Sequence, residues 1–574
     1  MKKLAVLAVL FLLAGCEPPD TDGGDPEASE AVDSSDRGEV IGTVTPVGEL
    51  AILELDEGVI AEANLFDLEG KTLRFTPVEG GYQIENLPLE WDAEYGMEVE
   101  DGEVSFEGFE FPFSGQTWSS ATVGPGTLAF VEGEGGGRFS VGRFEEMRTG
   151  AADLVHSVPG VSVFLKQRSQ GPRHLKALAD RVVVTWELSE PTGGMRSLQD
   201  FQFAPTTNRF QVVLHEDGRI DMSYDEIEAE DGIVGVFTVP TEGVPEGAPV
   251  PDPVNLSELT PEDPSAPVLY ETFHHYGLPS TQDMACTVIE ALGDRFDFMV
   301  WYSDFRVDQQ EGGTPSTGAI GDQVTGFGLS HPRGRRPEDF CSDGRIQATY
   351  ILPVWIGANQ SQEGAPDGSW GKYDQAMSQI GHELGHRWSA FAHAVVDGDT
   401  VDLGGTHWAT GLHAEVPYSY SGNPEASTMG GGYWEDNGDG TYTQLADDFY
   451  SPASGWSYLD LYLMGLLPPE EVPDFFILHD LEETGEEDAN GFPIYTGERQ
   501  DLTIDDVIAY AGPRLPPAAD AQTEFRTAMV GLVLPGEEPS PELLERLEGM
   551  RQEWMNYWSV TTGGMSTMDT SLQD

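Results

Sequence analysis

His382-Glu383-Leu384-Gly385-His386 is the stretch that decides how the rest of this chain is interpreted. Residues i and i+4 lie on one face of an α-helix, so the two imidazoles can reach a single Zn²⁺ ion. Glu383 projects beside the pair, where a carboxylate can take a proton from water that attacks a carbonyl group. The stretch therefore predicts a zinc site with His382 and His386 as ligands and Glu383 as the catalytic base.

An apolar stripe of helical period runs through this stretch. Its members are Tyr373, Met377, Ile380, Leu384, Trp388 and Phe391. The stripe points away from the two histidines. It predicts a helix over about residues 374–391 that packs on a core and turns both imidazoles toward a cleft.

The third metal ligand stays open at this stage. The candidates are His407, Asp460, His393, His413 and Glu415. We favour His407, because the preceding Gly404-Gly405 can form a turn that returns the chain to the metal. Asp460 would supply a carboxylate from a second helix. On a continued helix His393 would lie roughly 10 Å from His386 along the axis, so it could bind only if the helix ended near Ser389.

The charge balance excludes one class of partner. The chain has 574 residues, with 100 acidic and 29 basic side chains and a net charge of −71. Such a field repels phosphate backbones, so we expect no nucleic-acid partner. The length is too great for one hydrophobic core and predicts several domains.

The N-terminus predicts export and anchoring. Lys2 and Lys3 precede a short apolar run at residues 4–13, which is typical of a signal peptide. Leu13-Ala14-Gly15-Cys16 resembles the bacterial lipobox, in which the cysteine is lipidated. We therefore expect a protein of the bacterial cell envelope that faces outside the cytoplasm, on the outer membrane or cell surface.

Cys286 and Cys341 are the other two cysteines. In an oxidising compartment they could form one disulfide, and two separate buried thiols are the alternative. Neither belongs to a closely spaced metal-binding pair. The metal would then be held by histidine and carboxylate groups.

The chain before residue 240 alternates in steps of two, which is typical of β-strands. Residues 181–187, 208–215 and 219–224 are strand-like, and Glu216-Asp217-Gly218 is a hairpin turn. After the next linker the pattern becomes mixed. Residues 346–357 predict an edge strand, because the Pro353 within them cannot donate to a ladder.

The predicted architecture is multidomain, with N-terminal all-β, sandwich-type modules followed by an α+β domain. The predicted segments are a lipoprotein signal peptide at 1–16, an acidic tether at 17–38, a small β domain at 39–96, a β-sandwich at 97–240, a Pro/Glu-rich linker at 241–268 and the metal domain at 269–574. Residues 39–240 could cover the cleft before activation. Near the C-terminus, Ser540 and Pro541 mark the start of an amphipathic helix.

Two family resemblances extend this interpretation. Residues 97–240 resemble the nidogen-like β modules of secreted proteins, through Phe111-Pro112-Phe113-Ser114-Gly115 and Val182-Val183-Val184-Thr185-Trp186. From about residue 270 the chain looks like the zincin metallopeptidases. It is most similar to a group of uncharacterised secreted bacterial members, through Ser427-Thr428-Met429-Gly430-Gly431 and Tyr458-Leu459-Asp460-Leu461-Tyr462. This resemblance implies zinc, a peptidase class of reaction and a methionine turn at Met429.

These observations predict a surface-anchored zinc endopeptidase that hydrolyses extracellular peptide bonds, with a protein or peptide substrate and a membrane as partners. Tyr418, Tyr420 and Tyr458 are candidate donors to the oxyanion. The alternative is a non-catalytic adhesion or binding lipoprotein with a structural or degenerate zincin domain. Asp436-Asn437-Gly438-Asp439-Gly440 resembles a calcium loop, and a tight Asn-Gly turn explains the same residues.

Cys16→Ser should release the protein from membranes, because the acyl chains that anchor it are attached to this sulfur. The measurement is the mass of the mature N-terminus, together with partition of the protein between membrane and soluble fractions. An N-terminus at Cys16 without acyl chains would contradict the lipobox interpretation.

Overall fold

The computed structural model describes residues 37–131, 159–166, 169–189, 208–238, 251–303, 305, 307, 324–327, 336–352, 373–420, 422, 424–446 and 454–573. The predicted signal peptide, Cys16 and the tether up to residue 36 lie outside the described residues. Within the ranges given, no helix is both long enough and apolar enough to cross a membrane.

Strands dominate the described chain. They are β1 (Gly42–Val47), β2 (Leu50–Leu55), β3 (Lys71–Val78), β4 (Gly81–Pro88), β5 (Met97–Glu98), β6 (Gly102–Ser105), β7 (Phe111–Phe113), β8 (Gln116–Trp118), β9 (Ser120–Gly124), β10 (Thr127–Ala129), β11 (Gly160–Leu165), β12 (Arg173–Ala177), β13 (Arg181–Leu188), β14 (Asn208–His215), β15 (Ile220–Ile227), β16 (Gly232–Phe237), β17 (Val268–Phe273), β18 (Phe298–Ser303), β19 (Ala348–Ile351), β20 (His393–Val396), β21 (Asp399–Asp402), β22 (Trp408–His413), β23 (Gly430–Asp436), β24 (Thr441–Ala446), β25 (Phe475–Glu487), β26 (Pro493–Leu502), β27 (Glu524–Val533) and β28 (Thr567–Asp569). The α-helices are α1 (Thr281–Leu292), α2 (Asp374–Gly385), α3 (Tyr458–Met464), α4 (Ile504–Ala511) and α5 (Pro541–Thr561), and 3₁₀ turns occur at Pro337–Phe340 and Pro469–Glu471.

Two antiparallel sheets form a β-sandwich. One has the strand order β4-β3-β15-β14-β13-β12-β5, and the other has the order β17-β16-β11-β10-β9-β6. Their inner faces share one core, to which Trp186 and Phe210 contribute from the first sheet and Val163 and Phe273 from the second. The predicted hairpin is confirmed, since β14 and β15 pair around a turn in which Gly218 has φ 85°.

The structure differs from the predicted domain boundaries. Residues 39–96 do not form one small domain, because β1 and β2 join a different sheet from β3 and β4. Strand β17 belongs to the second sheet of the sandwich. It begins at Val268, the last residue of the predicted linker. The sandwich is thus inserted between β2 and α1, and Asn64 and His274 exchange backbone hydrogen bonds where the chain leaves and returns. Residues 39–240, which were predicted to be able to cover the cleft before activation, therefore include two strands of the layered unit itself.

The unit that contains the histidines has a mixed sheet with the order β1-β2-β27-β18-β19, and β28 pairs beside β27. Helices α2 and α5 cover one face, where Ile380 and Leu547 share a core with Phe298. Helix α1 covers the other face. Strand β2 is buried on both sides because it lies inside this layered unit. Strand β19 is shorter than the predicted 346–357, and it is the last strand of this sheet among the described residues. Pro353, which led to the prediction of an edge, falls outside the described part of the chain.

Helix α2 is shorter than the predicted 374–391, since it ends at Gly385. After a turn, Ala390 and Phe391 adopt left-handed conformations with φ 69° and 54°. The Phe391 N–H then donates to the Gly405 carbonyl. Trp388 continues the apolar stripe because it packs against Phe298 beyond the end of the helix. The stripe therefore extends past the helix that it helped to predict.

Other local predictions agree with the structure. Cys286 on α1 forms a disulfide with Cys341, with 4.9 Å between the Cα atoms. Ser540 caps α5, since its side chain accepts a hydrogen bond from the Leu543 N–H. A five-stranded closed barrel, β22-β23-β24-β26-β25, follows the β20–β21 hairpin. The starts of β22 and β23 lie beside the end of α2 and form part of the site.

Ile52→Ala should destabilise the layered unit by about 2–5 kcal/mol, because Ile52 is buried between the sheet and α5. Amide hydrogen exchange should then accelerate in β27 and β18. Val47→Ala is the control, since Val47 on β1 is 37% exposed. Faster exchange in Ile52→Ala confined to the sandwich strands would contradict this domain assignment.

Candidate metal centre

Three imidazoles converge at the end of α2. The ring centroids of His382 and His386 are 4.7 Å apart, and that of His407 lies 5.0 and 5.1 Å from them. Each ring has one nitrogen in a group whose atoms all lie within 4.8 Å of one another. His382 is fully buried, and His386 is nearly so. This geometry could hold one metal ion, and it brings together the three histidines that the sequence predicts.

Backbone pairing carries His407 to the helix. The chain reverses after α2, runs through the β20–β21 hairpin and enters β22 at Trp408. There the Trp408 N–H donates to the Met429 carbonyl over 2.9 Å, and β22 runs parallel to β23. Gly404 is required in the preceding turn, because a Cβ at this position would lie 2.2 Å from the His407 carbonyl oxygen.

A second backbone contact orients His382. Its Nδ1 lies 2.5 Å from the Thr428 carbonyl oxygen, so Nδ1 carries the proton and Nε2 is left to act as an acceptor. Met429 packs under the same helical turn: a Cβ on Gly385 would lie 2.5 Å from the Met429 sulfur. The loop 427–430 therefore both orients one imidazole and supports the turn between His382 and His386.

Burial keeps the rings in their neutral form. Desolvation lowers the pKa of His382 to about 4. Desolvation, together with the nearby His382, lowers the pKa of His407 to about 2. At neutral pH both imidazoles therefore have a lone pair available, which a metal ligand needs.

The other proposed ligands lie elsewhere. His393 is on β20, where its Nε2 is 3.8 Å from the Asp402 carboxylate and its ring stacks on Tyr510. Helix α2 ends at Gly385, so the condition under which His393 could have reached the metal is met. The hairpin nevertheless carries it away from the site. His413 accepts a hydrogen bond from the Trp434 N–H through Nδ1, and its Nε2 lies 4.0 Å from the Glu415 carboxylate.

Asp460 is fully buried on α3, and its carboxylate receives hydrogen bonds from Trp408, Ser427 and Ser457. It does not belong to the histidine group. Asp460 was one of the candidate third ligands, and its role as an acceptor for these donors was not predicted. The available signal was Ser457-Tyr458-Leu459-Asp460, which has the spacing of a helix capping box.

The predicted catalytic base and the three candidate oxyanion donors differ in burial and in hydrogen bonding. Glu383 is 4% exposed and sits between the two helical histidines in sequence. The Tyr420 hydroxyl accepts a hydrogen bond from the Asn556 amide, and Tyr418 is 40% exposed. Burial raises the pKa of Tyr458. These positions do not single out one tyrosine as the oxyanion donor.

The predicted calcium loop is a hairpin turn between β23 and β24. Asp436 accepts from the Gly438 N–H and pairs with Arg499, and Asp439 accepts from the Thr441 N–H. The loop oxygens are used within the turn and by Arg499. Calcium binding at this loop gains no support from these contacts.

Comparisons with protein-family models, with curated proteins and with solved structures gave no match for this chain. The function must therefore be inferred from the site itself.

His407→Ala should weaken zinc binding by more than about 100-fold, beyond the loss typical of a residue that only supports a ligand. The measurement is competition with a chromogenic chelator. His393→Ala is the matched control, because it removes a nearby histidine outside the group. If His393→Ala lost zinc and His407→Ala did not, the third ligand would be misassigned.

Proposed function

We propose that this chain is a zinc-dependent endopeptidase whose layered unit is a zincin-like α+β domain. The observation that carries the proposal is the convergence of two buried imidazoles and the half-buried imidazole of His407 around the helical turn that contains Glu383. The class of reaction follows from this combination of ligands and base, and the peptide substrate follows from the zincin resemblance.

The donor set fits zinc. Among the described residues the group offers three nitrogen ligands, the number found in catalytic zinc sites. Fully ligated structural sites use four protein ligands. A bound Zn²⁺ would polarise the substrate carbonyl and lower the pKa of water.

Within this site, Glu383 would take a proton from the attacking water and pass it to the leaving nitrogen of the peptide. The Thr428 carbonyl holds the Nδ1 proton of His382, so the ring presents Nε2 to the ligand position. Met429 packs against Gly385 and supports the helical turn between His382 and His386. Strand β19, the last of its sheet among the described residues, would offer backbone groups with which an extended peptide can pair.

The proposed setting is the outer face of a bacterial envelope, with Cys16 as the lipid anchor and extracellular proteins or peptides as substrates. The charge of −71 disfavours nucleic acid as a partner. The tether would enter the layered unit directly. The Gly38 N–H donates to the Asp339 carbonyl, and the Glu39 N–H donates to the Asp283 carboxylate.

A non-catalytic binding lipoprotein is the competing proposal, supported by the size of the inserted sandwich. It requires a metal site that is structural or degenerate. Three protein ligands with an adjacent buried glutamate favour catalysis over that alternative.

Glu383→Gln should retain zinc and lose hydrolysis of denatured casein by about 10²- to 10⁴-fold, the usual contribution of a general acid-base group. The measurement is the rate of peptide release by protein with equal zinc content. Glu290→Gln is the control, because it changes an exposed glutamate on α1, on the opposite face of the sheet.

Two results would refute the endopeptidase. One is a parent protein that binds zinc stoichiometrically yet releases no peptide, which favours the binding lipoprotein. The other is a Glu383→Gln variant that cleaves as fast as the parent.

A further inference from the structure

We propose that Asp460 is a positioning residue that sets the metal affinity of the histidine site without touching the ion. This inference rests on the proposed function, since it concerns the same three ligands. Its carboxylate is 0% exposed and joins three separate segments of the chain.

The first oxygen of Asp460 holds the segment that bears the third ligand. Oδ1 accepts a hydrogen bond from the Trp408 indole N–H over 2.9 Å. Trp408 directly follows His407, and its own ring is 3% exposed. Any shift of this indole would move the backbone from which His407 projects.

The second oxygen holds the loop beneath the site. Oδ2 accepts from the Ser427 hydroxyl over 2.6 Å, and the Ser427 oxygen in turn accepts from the Met429 N–H over 2.9 Å. Thr428, between these two residues, provides the carbonyl that orients His382. One carboxylate thus constrains both the third ligand and the orientation of the first.

Helix α3 fixes the carboxylate itself. Oδ2 also accepts from the Ser457 N–H over 2.7 Å and from the Ser457 hydroxyl over 2.6 Å. The carboxylate therefore accepts from four donors, one at Oδ1 and three at Oδ2. An amide cannot replace it. The Trp408 indole and the Ser457 N–H can only donate, so in either rotamer an asparagine NH₂ would face one of them.

Asp460→Asn should raise the dissociation constant for Co²⁺ by about 10–100-fold, as expected for loss of an outer partner of a metal ligand. The visible spectrum of the bound Co²⁺ should change as well, because the ligand geometry relaxes. Both are measured by Co²⁺ titration of the purified protein, and neither depends on activity.

Asp297→Asn is the matched control. Asp297 is 1% exposed and accepts from four donors, on Arg345, Gln347, Gln522 and Arg526, none of which belongs to the histidine site. We expect this variant to lower thermal stability while leaving the Co²⁺ affinity and spectrum at parent values. A purely structural role for Asp460 would make the two variants behave alike.

Trp408→Phe tests the hydrogen bond between Trp408 and Asp460 by removing its donor. The phenyl ring removes the indole donor, so Co²⁺ affinity should fall in the single variant. In the double variant Asp460→Asn/Trp408→Phe, the asparagine NH₂ faces no competing donor, and the loss should be smaller than the product of the two single losses. If Asp460→Asn does not fold, the Co²⁺ affinity of Trp408→Phe is the deciding measurement. An affinity equal to that of the parent protein overturns the inference.

The outcomes separate this inference from the function on which it rests. A parent protein that binds no Co²⁺ refutes the metal site, and the inference with it. A parent that binds Co²⁺ as tightly as Asp460→Asn does, with the same spectrum, overturns only the role of Asp460.

Discussion

The hydrogen bond from the Trp408 N–H to the Met429 carbonyl is the contact on which the site depends. It begins the parallel alignment of β22 and β23 and places His407 and Thr428 side by side at the end of α2. Without this pairing the chain would offer two helical histidines and a distant third. Because backbone groups make the bond, the arrangement tolerates side-chain changes in the barrel but not a shift in strand register.

Local chemistry could be predicted from the sequence because it depends on residues close together. His382, Glu383 and His386 share one helical turn, so their spacing alone brings them together. The turn at Gly404 was recognisable because glycine permits the φ of 139° found there. His407 could be favoured on that basis, but its approach to the helix depends on the pairing of two strands.

The remaining features depend on contacts between distant segments. Alternation in steps of two is the same for a strand of the sandwich and a strand of the layered unit, so it could not show that β2 and β3 belong to different sheets. The end of α2 could not be predicted, because the apolar stripe continues beyond the helix at Trp388, which is also buried. Asp460 was a candidate ligand because it would supply a carboxylate from a second helix, and only the folded chain shows that Trp408, Ser427 and Ser457 use that carboxylate.

Gly38 and Glu39, at the start of the described chain, are held by the layered unit. A Cβ on Gly38 would lie 2.5 Å from the Gln282 carbonyl carbon, so only glycine allows the chain to approach α1 this closely. Asp339, whose carbonyl binds Gly38, lies in the turn beside Cys341, and the disulfide joins that turn to α1. At the other end of the chain, the Leu572 N–H donates to Glu49, just before β2. Both ends of the described chain are therefore fastened to the layered unit. The sandwich is connected to this unit where the paired segments at Asn64 and His274 leave it and return to it.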